Sequence, residues 1–97
     1  RLMLVRRGDL LMKEITMFMF AGCPHCKRAK EMIEELCAEN SEYAAVPLTA
    51  IDEKLDPETA DKYDYYYVPT FFVDGEKIHE GVPTKEKIEN VFKKACE

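Results

Sequence analysis

Two cysteines separated by two residues, placed just after an apolar segment, constrain this chain more than any other sequence feature. Residues 14–20 are mostly apolar and suit a pleated, buried surface, so they predict a central strand. The motif Cys23-Pro24-His25-Cys26 follows after one turn, and Pro24 stands where the first residue of a helix tolerates a missing N–H. The sequence therefore predicts a strand that turns sharply into a helix at the cysteine pair.

Two further segments complete a β-α-β unit. Apolar residues at steps of three and four predict that the helix runs from residue 24 to about residue 40. Residues 43–51 predict a second strand, and Pro47 within it favours an edge position because proline cannot donate to a strand ladder. Such a unit requires a right-handed crossover between parallel strands.

The second half of the chain predicts a short helix, a hairpin and a final helix. Asp56-Pro57 is typical of a helix start, and Thr84 is a candidate cap for a helix near the C-terminus. Asp74-Gly75 lies between residues 70–73 and residues 76–79, two short strand candidates, and predicts a two-residue hairpin turn. The element order βαβ-α-ββα predicts an α/β fold with a mixed four-stranded sheet and helices on both faces.

Length and charge exclude several classes of function. The chain has 97 residues, which is room for one domain, and its 46% hydrophobic and 34% charged content is typical of a globular protein. The formal net charge of −5 argues against binding to nucleic acid. No apolar run approaches the roughly 18 residues that a membrane span needs, so no membrane association is expected.

The first eleven residues are set apart from the rest. Arg6, Arg7 and Asp9 interrupt their apolar residues, which argues against a secretory signal. We interpret residues 1–11 as a flexible extension and residues 12–97 as the folded domain. A short extra strand or a partner-contacting arm is the alternative for residues 1–11. Because no export signal is recognisable, the expected location is the reducing cytoplasm.

The position of the cysteine pair predicts redox chemistry. Cys23 lies at a helix N-terminus, where unpaired N–H groups favour an anion, and a thiolate is the nucleophile of disulfide exchange. Cys26 lies one turn further on and can attack a mixed disulfide formed at Cys23. Pro24 and His25, between the cysteines, are expected to set the redox balance of the pair, and a protonated or hydrogen-bonding His25 beside that thiolate would make it more oxidising.

Other functions of the same motif stay open. Two thiolates also bind zinc or an iron–sulfur cluster, so a carrier that shares Cys23 across a dimer is the main alternative. An adaptor that only binds peptides is a third. Cys37 falls on the core face of the first helix and is interpreted as a small buried hydrophobic residue. Cys96 is expected to be exposed near the C-terminus, and His79 to be a surface residue.

The strand, the CPHC turn, its helix and the later Val68-Pro69-Thr70-Phe71-Phe72 resemble the thioredoxin superfamily, in its small glutaredoxin-like and thioredoxin-like branch. The resemblance extends from about residue 13 to the C-terminus. It implies a thioredoxin fold and a thiol–disulfide oxidoreductase in which Cys23 attacks and Cys26 resolves. It also implies that Pro69 is a cis-proline against the CxxC turn, that the Val68 backbone pairs with substrate and that Gly81 lines the same groove.

Several positions depart from the family pattern. Gly22 replaces a typical tryptophan, and Met17 stands six residues before Cys23, where many thioredoxins have a buried acid. Tyr67 replaces the threonine that precedes Val-Pro in glutaredoxins, and we expect it either to pack or to form an aromatic wall of the groove. The later Gly-Gly motif is missing as well, so the glutaredoxin-like and thioredoxin-like branches both remain open.

The resemblance also implies partners. We expect disulfide-containing proteins or small thiols as substrates, and a reductase or glutathione as the electron donor. Glutathione is therefore a candidate co-substrate. No metal and no other cofactor is expected, and the chain is expected to act as a monomer.

Overall fold

The computed structural model describes residues 12–97, so the interpretation of residues 1–11 lies outside the described residues. In chain order the elements are β1 (Ile15–Met19), α1 (Pro24–Glu39), α2 (Ser41–Ala44), β2 (Leu48–Asp52), α3 (Pro57–Ala60), β3 (Thr70–Val73), β4 (Glu76–Glu80) and α4 (Lys85–Ala95). Within residues 12–97, none of the helices combines the length and the apolar character that crossing a bilayer requires.

The strands form one mixed sheet in the order β2-β1-β3-β4. β1 is parallel to β2 and antiparallel to β3, and β3 is antiparallel to β4. All four residues of β3 are buried, as expected for a central strand. Phe18 pairs with Thr70, so the start of β3 lies beside the end of β1. The cysteine pair and Val68-Pro69 are therefore brought to the same end of the sheet.

The edge position of β2 is confirmed, but the predicted strand was too long at its start. The strand begins at Leu48, and Pro47 lies outside it, so the proline does not explain the edge position. Tyr43 belongs instead to the one-turn helix α2, which the sequence did not predict. Its hydroxyl donates to Glu89 of α4 at 3.0 Å, and Asn40 caps the turn through the Glu42 N–H at 2.9 Å.

The first face of the sheet is covered by α1 and α4. Ile15, Met17, Phe71 and Val73 of the sheet form one buried cluster with residues of these helices. That cluster also contains Cys23, Cys26, Ala29 and Leu36 from the cysteine turn and α1, and Ile88, Val91, Phe92 and Ala95 from α4. These four residues of α4 thus form its buried apolar face.

The second face is covered by α3 and by two tyrosines. Phe18 and Phe72 point to this side and pack with Ala60 of α3. The ring of Phe18 lies 4.7 Å from that of Tyr63 and 4.9 Å from that of Tyr65, centroid to centroid. Helices on both faces are therefore confirmed, although aromatic side chains provide much of the second layer.

Candidate active site

The turn that carries the cysteine pair connects the end of β1 to the start of α1. Gly22 has a φ of 89°, a left-handed conformation that glycine adopts without steric cost. The N–H of Cys23 donates to the Phe20 carbonyl at 3.3 Å, and the N–H of Ala21 donates to Oδ2 of Asp52 at 3.1 Å. Because Asp52 ends the neighbouring strand β2, a side chain from the sheet holds the turn in place.

Cys23 caps the N-terminus of α1. Its Sγ accepts a hydrogen bond from the backbone N–H of Cys26 at 3.2 Å, and the exposed Pro24 lies in the first turn of the helix. The remaining unpaired N–H groups and the helix dipole favour negative charge at this position. Cys23 is 7% exposed and Cys26 is 2% exposed, so Cys23 is the more accessible of the two.

Cys26 lies in surroundings that disfavour a thiolate. Burial, together with the interaction with the neighbouring Cys23, raises the pKa of Cys26 to about 12. Met17, six residues before Cys23, is 1% exposed and carries no ionisable group that could exchange a proton with the thiol. The two thiols are therefore unequal: the helix terminus favours charge at Cys23, whereas burial keeps Cys26 protonated at neutral pH.

A cavity of about 420 Å³ opens beside the cysteine pair. Both cysteines line it, together with the end of β1 and with Lys27 and Lys30 of α1. Lys30 follows Cys26 by four residues, which places the two on the same side of the helix. The positive charge of Lys30 lowers the pKa of Cys26, against the larger effect of burial. Lys30 is therefore a cation placed to act on the buried thiol.

His25 is half-buried between the two cysteines in sequence. Nη2 of Arg28 lies 2.9 Å from Nδ1 of His25. Because a guanidinium only donates hydrogen bonds, Nδ1 is the acceptor and carries no proton in this arrangement. His25 thus accepts its hydrogen bond from Arg28. An effect of His25 on the Cys23 thiolate stays a prediction.

The other half of the site lies at the start of β3. The Val68–Pro69 peptide bond is cis, in agreement with the sequence expectation, and Pro69 is buried. Gly81 donates its backbone N–H to the Pro69 carbonyl at 2.9 Å. Val68 packs against the buried cluster that contains both cysteines. The structure therefore brings Val68, Pro69 and Gly81 together and links them to the cysteine pair through the core.

The tyrosines before Val68 divide into two packed and two exposed residues. Tyr63 and Tyr65 pack against the second face of the sheet. Tyr66 is 85% exposed and Tyr67 is 70% exposed. Tyr67 therefore does not pack in the core, which leaves the aromatic wall as the remaining expectation for it.

Three residues near the site were not assigned a role from the sequence. Asp52 holds the Ala21 N–H, and Glu80 accepts hydrogen bonds from the backbone N–H groups of Tyr66 and Tyr67. The third is Lys30, an exposed residue of α1 that lines the cavity beside the cysteine pair. The available signal was positional: Asp52 and Glu80 are the last residues of strands that flank the site.

The remaining cysteines lie away from this arrangement. Cys37 is partly buried against the core, as expected. The expectation that Cys96 is exposed was wrong: it follows α4, packs partly buried against the same core, and burial raises the pKa of its thiol. Over residues 12–97, no three His, Cys, Asp or Glu side chains cluster as metal ligands. The metal or iron–sulfur carrier is thus not supported.

His79 is also less exposed than expected. Its Nε2 lies 3.1 Å from the Gly81 carbonyl oxygen, and the ring is half-buried. Burial lowers the pKa of His79 below its ordinary value. His79 is therefore a partly exposed residue of the edge strand β4, and its ring contacts the Gly81 backbone.

Comparison with known proteins agrees with this geometry. The thioredoxin domain family matches residues 13–93 of the chain. A thioredoxin of Methanocaldococcus jannaschii is 35% identical over 81 residues, which is 84% of this chain and 93% of that protein.

Solved structures show the same fold. The solution structure of oxidised thioredoxin from Plasmodium falciparum aligns with a TM-score of 0.66 at 17% identity, over 100% of this chain and 93% of that one. A crystal structure of Schistosoma mansoni thioredoxin aligns with a TM-score of 0.65 at 25% identity, over 95% and 82% of the two chains. The predicted fold class is therefore confirmed.

Proposed function

We propose, on the premise that this chain belongs to the thioredoxin domain family and is a thiol–disulfide oxidoreductase, that Cys23 is its attacking thiol and Cys26 its resolving thiol. The observation that carries this assignment is the inequality of the two thiols. Cys23 caps α1 and accepts the Cys26 N–H at 3.2 Å, whereas burial raises the pKa of Cys26 to about 12. The cap position favours a thiolate and the buried position a thiol.

The reaction then proceeds in two exchange steps. The Cys23 thiolate attacks one sulfur of a substrate disulfide, which forms a mixed disulfide and releases the other substrate sulfur as a thiolate that takes a proton from solvent. Cys26 loses its proton and attacks the Cys23 sulfur, which forms the Cys23–Cys26 disulfide and releases the second substrate thiol. Two electrons have passed to the substrate, and a reductase or a thiol such as glutathione must return them.

The start of β3 supplies the substrate-binding edge in this proposal. The backbone of Val68 pairs with an extended substrate chain, Pro69 and Gly81 border it, and Tyr67 forms an exposed wall. This assignment is supported by the hydrogen bond from Gly81 to the Pro69 carbonyl and by the 70% exposure of Tyr67. It extends to a monomer in the cytoplasm with disulfide-containing proteins as substrates. Size-exclusion chromatography tests the monomer, and cell fractionation tests the cytoplasmic location.

Serine variants of the cysteines test the assignment. Cys23→Ser should abolish reduction of a disulfide substrate, because no mixed disulfide forms. Cys26→Ser should accumulate a covalent enzyme–substrate disulfide, visible by mass spectrometry under non-reducing conditions. Cys37→Ser is the matched control and should keep full activity. Full activity in Cys23→Ser would overturn the assignment.

The direction of electron flow is set by the reduction potential of the cysteine pair. Equilibration in dithiothreitol and glutathione buffers, followed by alkylation and mass counting of thiols, measures it. We expect a single two-electron transition near about −270 mV, the range of a reductase. A value near about −120 mV would instead indicate an oxidant or isomerase. Turnover with a glutathione mixed disulfide separately tests glutathione as a co-substrate.

A further inference from the structure

Two side chains of β4 hold the segment that precedes Val68. Oε2 of Glu80 accepts the backbone N–H of Tyr66 at 2.5 Å and that of Tyr67 at 2.8 Å. Nζ of Lys77 donates to Oε1 of Glu80 at 2.8 Å and to the Asp64 carbonyl at 3.1 Å. We call Glu80, Lys77 and the segment 64–67 that they bind the β4 clasp.

The Glu80 carboxylate at the centre of the clasp accepts hydrogen bonds at both of its oxygens. The side chain of Glu80 is only 19% exposed, and the three N–H donors satisfy both of its oxygens. The hydrogen bond from Lys77, followed by those from the Tyr66 and Tyr67 amides, lowers the pKa of Glu80 to about 2. Glu80 is therefore a carboxylate under all conditions in which an enzyme of this kind is assayed.

The clasp bears directly on the proposed substrate-binding edge. Tyr67, whose N–H it holds, is bonded to Val68, and Gly81, bonded to Glu80, donates to the Pro69 carbonyl at 2.9 Å. One end of β4 thus contacts the backbone on both sides of Val68. The side chains of Tyr66 and Tyr67 are exposed, so hydrogen bonds to the backbone orient this stretch: Glu80 accepts its two amide N–H groups, and the Thr70 hydroxyl donates to the Tyr67 carbonyl.

We propose that Glu80 is a positioning residue that orders the Tyr67–Val68 backbone for extended polypeptide disulfides, while small disulfides do not depend on it. This inference rests on the proposed role of Val68 in binding substrate. A polypeptide must align several backbone and side-chain groups with that edge, including an apolar side chain against Tyr66 or Tyr67. A small disulfide needs only to reach Cys23.

Glu80→Gln tests the proposal because it removes the negative charge and replaces the oxygen that accepts from Lys77 by an NH2 group, which only donates. The control is Glu76→Gln, an exposed carboxylate at the other end of the same strand. Pre-reduced enzyme is assayed with insulin as the polypeptide disulfide and with 5,5′-dithiobis(2-nitrobenzoate) as the small one. We expect KM for insulin to rise about ten-fold in Glu80→Gln, as the loss of roughly one charged hydrogen bond implies, with kcat unchanged.

The rate with the small disulfide should be the same in wild type, Glu80→Gln and Glu76→Gln. An unchanged KM for insulin in Glu80→Gln, or an equal loss with both substrates, would overturn the proposal. If the wild-type protein reduces neither substrate, the proposed function itself fails, which is a distinguishable result. Lys77→Met, which removes one half of the clasp and keeps Glu80, should shift KM in the same direction and replaces Glu80→Gln if that variant does not fold.

Discussion

At the scale of single residues, the resolving step depends on how the buried Cys26 loses its proton. Burial raises the pKa of this thiol to about 12, and the position six residues before Cys23 is occupied by Met17 rather than by an acid. Lys30 shares the cavity beside the cysteine pair with Cys26 and lowers that pKa. The Lys30 ammonium thus favours loss of the Cys26 proton, a step that a buried acid could otherwise assist.

Replacing Lys30 by methionine should therefore raise the pKa of Cys26. An exposed ammonium contributes about 0.2–1 kcal/mol, and one pKa unit corresponds to about 1.4 kcal/mol, so we expect a rise of a few tenths of a unit. The rate at which Cys26 is alkylated, followed against pH by mass spectrometry of its peptide in a Cys23→Ala background, measures it. Lys27→Met is the control. It removes a lysine that lines the same cavity and should leave the pKa of Cys26 unchanged. Equal midpoints with and without Lys30 would contradict this account.

At the scale of elements, the hairpin turn between β3 and β4 depends on backbone conformation. Asp74 has a φ of 48° and Gly75 a φ of 87°, and nothing lies within 4 Å of a Cβ built on Gly75. Gly75→Ala should lower the free energy of unfolding by about 1–2 kcal/mol, because only the left-handed conformation is penalised. Urea denaturation measures the loss. Gly75→Asn should lose less, since asparagine tolerates this conformation, and an equal loss in both would implicate a steric clash instead.

Elements with a local signal were predicted correctly, and those fixed by distant contacts were not. The first helix, the hairpin and the caps Asp56 and Thr84 are all encoded within a few neighbouring residues. Tyr43 fitted a strand equally well. Its helical turn has a local cap in Asn40, but the hydrogen bond that ties the Tyr43 side chain to Glu89, 46 residues away, has no local signal in the sequence.

The same distinction applies to the candidate site. Cys23 and Cys26 lie one turn apart at the start of the same helix, so their spacing in the sequence alone brings them together. Glu80 holds the Tyr67 amide from 13 residues away, and Asp52 holds the Ala21 amide from 31 residues away. Acidic residues at strand ends are common. The role of Asp52 and Glu80 can be inferred only from the sheet order, which places them beside the site.

At the scale of the whole molecule, these two carboxylates couple the site to global stability. Each ties a loop of the active-site end to the sheet: Asp52 the turn before Cys23, and Glu80 the segment before Val68. The pKa of Glu80 is about 2, below its ordinary value of 4.5. Backbone N–H donors, the Lys54 amide foremost, also lower the pKa of Asp52 below its ordinary 3.8. Both groups therefore bind protons more readily in the unfolded chain than in the folded one.

A folded-state pKa below the unfolded one makes stability rise with pH, so both contributions are complete above about pH 4.5 and are lost as the pH falls towards 2. The free energy of unfolding, from urea titrations at steps between about pH 6 and pH 2, should decline across this window. The double variant Asp52→Asn with Glu80→Gln should start lower at neutral pH and decline less. The exposed Glu76→Gln should follow the wild-type curve. Parallel curves for the double variant and the wild type would show that acid destabilises the protein through other carboxylates, and that the loops beside the cysteine pair do not limit its acid stability.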